Sequence, residues 1–197
     1  MNTIAQNRSF AFLKLYLHNP LTVGSITPSS PALARAMTSG LHLKAGEGVL
    51  ELGPGTGAIT ARIRRIVPSP NTYLGIESEP RFIELLRDRF PDLVFVSGRA
   101  EHAGYICAQA CLDPVKAVIS CLPFVGVKGS VYDEIIENLD RLMSPGCVFR
   151  TFQYLHTYLL PSPLRFRRKM GALFGPHRRS PIILRNLPPV FVLTWTR

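Results

Sequence analysis

Acidic residues are scarce in this chain. Its 197 residues carry 13 Asp and Glu against 23 Lys and Arg, a formal charge of +10. That balance leaves nucleic acid, an anionic membrane or an acidic substrate as the natural partners, without choosing among them. Cysteine is equally sparse. Cys107, Cys111, Cys121 and Cys147 do not form paired metal-ligand spacings, and the Cys107–Cys111 pair has no second His or Cys pair to close a zinc site. Neither a disulfide framework nor a structural metal is expected, and the four thiols read as reduced and mostly buried. Long hydrophobic runs are missing too. No segment holds the roughly 20 apolar residues that span a bilayer, and the N-terminus has no h-region followed by a small-residue cleavage site. With neither repeats nor low-complexity tracts, the chain is expected to be a single domain able to bury roughly 70% of its unfolded surface.

From Gly48 onward short apolar runs alternate with amphipathic stretches, as in a parallel sheet covered by helices. "GVLEL" (48–52), "TYLGIE" (72–77), "LVFVSG" (93–98), "VKAVISCL" (115–122) and "CVFRTFQY" (147–154) read as five strands. The intervening helices are expected at 56–67, 79–90, 101–110 and 131–143. "IILRN" (182–186) and "VFVLTWTR" (190–197) read as a closing pair of strands. Before them, 159–181 looks like a basic insertion.

"ELGPGTG", Glu51 to Gly57, lies where the first strand turns into the first helix. Its glycines permit a tight turn and let a ligand lie against backbone at a helix N-terminus. A dinucleotide loop reads G-x-G-x-x-G. The spacing here is G-x-G-x-G with Glu51 two residues ahead, which suits a ligand bearing a carboxylate and an amine. Glu77 closes the second strand 20 residues after Gly57, where an acid can accept the hydroxyls of an adenosine ribose.

In this order of elements the chain resembles the class I S-adenosylmethionine-dependent methyltransferases. The resemblance implies an α/β, Rossmann-like fold whose seven-stranded, mostly parallel sheet ends in an antiparallel strand. It also implies that Glu51, Gly53, Gly55, Thr56 and Gly57 hold the methionine part of S-adenosyl-L-methionine, and that Glu77 and Ser78 hold the ribose. Adenine falls to the turn "SGRAEH", where Arg99 stands in the usual place of an acid; backbone at Arg99 and Ala100, or the Glu101 carboxylate, is left to serve it. Ser120 and Leu122, in "SCLPF", border the methyl donor.

Enzymes that methylate an amine of a planar base carry Asn or Asp before the Leu-Pro-aromatic part of that motif, and here Cys121 stands there. Ribosomal RNA adenine dimethyltransferases also carry a helical domain after the sheet, which is not expected here. Both departures weigh against RNA. The chain is more similar to the bacterial phospholipid N-methyltransferases that convert phosphatidylethanolamine toward phosphatidylcholine. The resemblance rests on "VGSITPSSPALARAM", "VLELGPGTGAIT", "SCLPF" and the closing "FQY…NLPP". It implies a monomeric, cytoplasmic enzyme, peripheral on the inner face of the membrane, taking a phospholipid substrate.

Methyl transfer to an amine is an in-line displacement that asks the protein for positioning and exclusion of water. An amine with a pKa near 10 must first lose its proton. Tyr16, Tyr154, His156 and Tyr158 are the candidate proton acceptors and aromatic walls, and aromatic faces also suit a methylated cation. Arg165, Arg167, Arg168 and Lys169, interleaved with Leu164, Phe166, Met170, Leu173 and Phe174, are expected to form a helix lying in an anionic interface. Residues 1–40 are expected to form a helical lid and membrane contact ahead of a 41–197 catalytic domain. Within the lid, Ser30 and Pro31 start a helix by capping, and Thr27 and Ser29 are expected to face the cofactor.

Overall fold

The structure, a computed structural model, describes residues 29–122 and 129–197. Helix α1 (Pro31–Thr38) begins as expected from its sequence: Ser30 is the N-cap, its Oγ accepting from Leu33 N–H at 3.1 Å, and Pro31 opens the first turn. Strand β1 (Gly48–Leu52) leads into the short helix α2 (Thr60–Ile63). β2 (Tyr73–Glu77), α3 (Pro80–Arg89) and β3 (Val94–Ser97) follow. α4 (Ala103–Gln109), β4 (Val115–Ser120), α5 (Gly129–Leu142) and β5 (Val148–Tyr154) complete the alternation. The chain closes with α6 (Pro161–Phe174), β6 (Arg178–Arg179) and β7 (Val190–Thr196).

These strands form one seven-stranded sheet in the order β3-β2-β1-β4-β5-β7-β6. β1 to β5 are parallel, and β7 runs antiparallel to both neighbours. Every residue of β1 and β2 is buried, which is why these segments read as continuous apolar runs rather than as alternation. Helices cover both faces. Leu33 and Met37 of α1, Ile63 of α2 and Leu86 of α3 pack on one side; Cys107 of α4, Leu139 of α5 and Phe166 of α6 pack on the other. The fold is the Rossmann-like α/β architecture of class I methyltransferases. Order reverses between β1 and β4, so ligands belong at the carboxyl ends of these strands.

Three expectations are corrected. The first helix is shorter than 56–67, because after Ile63 the chain continues in tight turns to Val67 and stops before Pro68. The sixth strand lies at Arg178–Arg179, paired with Thr194 and Leu193, whereas 182–186 contributes only a single bridge from Ile183 to Val190. Beyond the bridge, the Asn186 side-chain amide donates to Pro188 O at 2.8 Å within the loop.

The third correction concerns α6. Phe166 and Met170 are buried against Phe149 and Trp195 in the core, so this part of the apolar stripe expected to enter a membrane packs on the sheet instead, while Leu164 and Leu173 stay exposed. Arg165 and Lys169 pair with Asp133 on α5. Arg167 is buried, donating to Gln153 Oε1 and lying 3.9 Å over the Tyr158 ring. A helix buries the face that meets the core, and here the sheet takes the Phe166 and Met170 face. Among the described residues no helix is long and apolar enough to cross a membrane.

α1 is likewise part of the packed domain. Buried Arg150 on β5 donates from Nη1 to Met37 O at 3.1 Å and Ser39 O at 2.8 Å, capping the last carbonyls of α1. The helix that was expected to belong to a lid is thereby tied to the sheet.

Candidate active site

The carboxyl ends of five adjacent parallel strands bring most of the predicted site residues into one row. Glu77 ends β2, Glu51 and the glycine loop end β1, Ser120 ends β4 and Tyr154 ends β5. Arg99 and Ala100 follow β3 directly. Tyr16 and Thr27, together with Pro123 and Phe124 of "SCLPF", lie outside the described residues.

The three loop glycines have positive φ, but they serve different ends. Gly53, at φ 71°, donates its N–H to Ile76 O at 2.9 Å, and a Cβ there would come 3.1 Å from Leu122 Cδ2. This draws the loop against the end of β4. Gly55, at φ 56°, faces open space, with nothing within 4 Å of a built Cβ. At Gly57 a Cβ would meet Phe90 Cε2 at 2.6 Å and Leu86 Cδ2 at 3.0 Å, so that glycine lets α3 pack under the loop. Thr56 contributes its carbonyl, which accepts from Arg89 at 2.7 Å.

Glu77 organises the loop from β2. One carboxylate oxygen accepts from Ser78 N–H at 2.8 Å and Glu79 N–H at 3.0 Å, and the other from Gly55 N–H at 2.9 Å. A carboxylate has about four acceptor positions, so the oxygen facing Gly55 keeps one for a ribose hydroxyl. The sequence reading assigned Glu77 to the ribose alone; its backbone contacts add the positioning of the loop.

Glu51 is fully buried beneath that loop. Its Oε2 accepts from Tyr73 Oη at 2.6 Å and Thr60 Oγ1 at 2.7 Å, while Oε1 has no hydrogen-bond partner among the described residues. Burial pushes the carboxyl up to about 7, against the downward pull of the Tyr73 and Thr60 hydroxyls, and the charge of Glu77 adds to the rise. Burial also raises the Tyr73 hydroxyl and the Cys121 thiol well above their ordinary ranges, with the charge of Glu51 contributing to both.

Sequence reasoning missed Thr60 and Tyr73. A signal for the second was present: Gly75 interrupts β2, and a Cβ there would lie 2.7 Å from Tyr73 Oη. Glycine inside a strand marks such a close approach.

At the adenine end, Arg99 turns back to pair with the Glu101 carboxylate, so Glu101 does not stand free as a substitute acid. The Glu101 carbonyl accepts from Asn138 Nδ2 at 2.6 Å, which fixes the turn on α5. At the methyl end, Leu122 N–H donates to Ser120 Oγ at 3.4 Å, and Cys121 N–H to Leu52 O at 2.8 Å. Beyond it, the Tyr154 and His156 rings lie 5.6 Å apart, and His156 is exposed. Tyr158 points away from this group, its ring between Arg167 and Phe191.

S-adenosylmethionine fits what is here. A buried carboxyl oxygen without a partner calls for a donor, which the amine of the methionine part provides, and the open side of Gly55 leaves room against the backbone. Glu51 and the 53–57 loop would hold the methionine part, Glu77 the ribose, and the backbone at Arg99 and Ala100 the adenine.

A family model described as protein-L-isoaspartate(D-aspartate) O-methyltransferase matches residues 5–93. An ornithine lipid N-methyltransferase from Singulisphaera acidiphila is 26% identical over 183 residues, which cover 91% of each chain. The chain is an S-adenosylmethionine-dependent methyltransferase. This methyltransferase is also similar over part of its length to ribosomal RNA small subunit methyltransferase A from Prosthecochloris aestuarii, at 24% identity over 110 residues, or 56% of its own chain and 40% of that protein. In three dimensions it matches a TehB-like SAM-dependent methyltransferase from Corynebacterium glutamicum with a TM-score of 0.60 and 12% identity, covering 100% of both chains.

Proposed function

We propose that this methyltransferase transfers methyl groups to the amine of a membrane lipid head group, with phosphatidylethanolamine and its partly methylated forms as acceptors. The observation that carries this reading is the 91% reciprocal coverage of a lipid N-methyltransferase. It takes in the segments before the glycine loop and after β5 that a shared cofactor fold does not require. The ribosomal RNA methyltransferase similarity covers only 56% of the chain. The missing Asn or Asp before Leu122 further disfavours a planar base.

S-adenosylmethionine supplies the methyl group on a sulfonium centre. The chain's own part is placement and proton removal. Ser120 and Leu122 at the end of β4 face the methyl end, and the neighbouring end of β5 brings Tyr154 and His156 within reach of the acceptor amine. The Tyr154 ring offers a wall for a head group that becomes a permanent cation, an arrangement worth about 0.5–2 kcal/mol. His156, exposed at the rim, is the group to take the amine proton and pass it to solvent. The segment ahead of α1 then acts as a lid and membrane contact, and the enzyme works as a monomer on the cytoplasmic face of the membrane.

The test is transfer of labelled methyl from S-adenosylmethionine to liposomes containing phosphatidylethanolamine, its mono- or dimethyl form, or ornithine lipid, with ribosomal RNA as a parallel substrate. Label in the phosphatidylethanolamine series and none in RNA is expected. Label confined to ornithine lipid reassigns the acceptor, and label confined to RNA overturns the lipid reading.

A further inference from the structure

Every Asp and Glu of this chain falls between Glu47 and Asp140, whereas Lys and Arg continue on both sides of that span. The fold brings the two acid-free stretches together. α1 from the first packs against β5 and β7 from the second, forming one edge of the domain. Most of the exposed large apolar side chains sit in the second stretch: Leu155, Leu159, Leu160, Leu164, Leu173, Ile182, Leu184 and Leu187. The three most exposed of these are Leu159 at 78%, Leu187 at 76% and Leu184 at 74%. All three lie at the carboxyl end of the sheet, beside the ends of β5 and β7, where Leu155 N–H donates to Pro189 O at 2.9 Å.

A groove of about 380 Å³ opens at the same place between α1 and the 182–187 loop. Ala32 and Arg35 form one wall, Ile182 to Arg185 the other. Ser30 N–H donates to Asn186 Oδ1 at 3.0 Å and so joins the walls, and Ile183 N–H donates to Val190 O at 2.9 Å and ties the loop to β7. Among the described residues neither Arg35 nor Arg185 has a carboxylate partner. Two exposed guanidinium groups without a carboxylate partner among the described residues, in a shallow open groove flanked by exposed leucines, match an anion that carries acyl chains. Nucleic acid would engage the arginines and leave the leucines in water.

We infer that the groove between α1 and the 182–187 loop binds the anionic head group of a bilayer lipid through Arg35 and Arg185, while Leu184 and Leu187 enter the acyl region beside it. This rests on the lipid reading for its context and adds a site apart from the cofactor loop. It places the carboxyl ends of the strands, and so the acceptor amine, toward the membrane. The surface role expected of α6 passes to this loop.

The experiment is flotation of the full chain with vesicles of phosphatidylcholine, with or without phosphatidylglycerol, at physiological salt. Arg35→Gln/Arg185→Gln is expected to lower partition onto the phosphatidylglycerol vesicles about tenfold or more. Arg65→Gln/Arg81→Gln, with the same change of charge elsewhere on the surface, is expected to lower it less than twofold. Leu184→Ser/Leu187→Ser is expected to weaken binding to both vesicle types. Unchanged S-adenosylmethionine affinity in each variant shows that it is folded.

Equal losses in the two arginine pairs would mean diffuse charge and overturn the site. Normal partition of the leucine variant, with binding displaced by millimolar inorganic phosphate, would assign the groove to a soluble anion. Loss of RNA binding in place of vesicle binding would overturn it as well. A wild-type chain that floats through this groove yet methylates no lipid would leave the site standing and sink the proposed reaction.

Discussion

Ser30 and Asn186, separated by 156 positions, are joined by a hydrogen bond of 3.0 Å from the Ser30 N–H to the Asn186 side-chain carbonyl. The asparagine is buried, and its amide also donates to Pro188 O. One side chain thus holds the N-cap of α1 against the loop that feeds β7. Ser30 and "NLPP", read in sequence as separate features, are two halves of one junction. Asn186→Ala is expected to lower stability by about 1–3 kcal/mol, because it strands the Ser30 N–H and the Pro188 carbonyl. Chemical denaturation measures this directly. A change under about 0.5 kcal/mol would mean that water replaces the side chain without loss.

The fold was legible because its signals are local. Apolar runs with glycine between β1 and α2 marked a buried parallel sheet, and Ser30-Pro31 marked a helix start. The partners of Glu51 were not legible: Thr60 lies on α2 and Tyr73 on β2, and only the packing of α2 and the register of β2 on β1 bring them to the same carboxyl. The membership of α6 in the core was hidden for a related reason. An amphipathic stripe with arginines looks alike whether it faces a membrane or a sheet, and the deciding contact is with Trp195, far along the chain. The three glycines of the loop looked equivalent, since spacing does not say which one has a neighbour.

The raised Glu51 carboxyl sets a pH dependence of stability. In the folded chain it titrates at about 7, against 4.5 ordinarily. Between these values the folded state holds a proton that the unfolded state has released, so stability falls as pH rises from about 4.5 to about 7, by up to ~3 kcal/mol, and then levels off. Glu51→Gln carries no such loss. Urea unfolding at pH 5 and pH 8 should show the wild type losing more stability than the variant over that interval. Parallel profiles would remove Glu51 as the source.

At the acceptor end, Tyr154 is asked for a ring face. Tyr154→Phe keeps the face and should hold kcat/KM within about threefold. Tyr154→Ala removes it and should lower kcat/KM by about tenfold, in line with a cation–π contribution of about 0.5–2 kcal/mol. The loss should appear in KM for the dimethylated acceptor more than for the primary amine, since the later acceptor is bulkier and closer to the permanent cation. If Tyr154→Phe is as impaired as Tyr154→Ala, the hydroxyl acts in proton removal and the ring does not act as a wall.

Gly55 and Gly57 make the last contrast, because substitution at each strains the same left-handed backbone while the surroundings differ. Alanine at Gly57, with φ 78°, would place its Cβ 2.6 Å from Phe90 Cε2, forcing α3 away from the loop. Strain at positive φ costs roughly 1–2 kcal/mol, and overpacking adds typically 1–3 kcal/mol, so Gly57→Ala should lose several kcal/mol of stability. Alanine at Gly55, with φ 56°, meets nothing within 4 Å and bears only the backbone strain. It nevertheless puts a methyl group on the open face of the loop that Glu77 pins through the Gly55 N–H. Gly55→Ala should therefore melt only some degrees below the wild type, well above Gly57→Ala, yet bind S-adenosylmethionine at least tenfold more weakly by calorimetry. Gly57→Ala should melt early but bind near-normally below its transition. If the two variants lose affinity and stability in the same proportion, the loop acts as one rigid unit and the division of roles between its glycines is wrong.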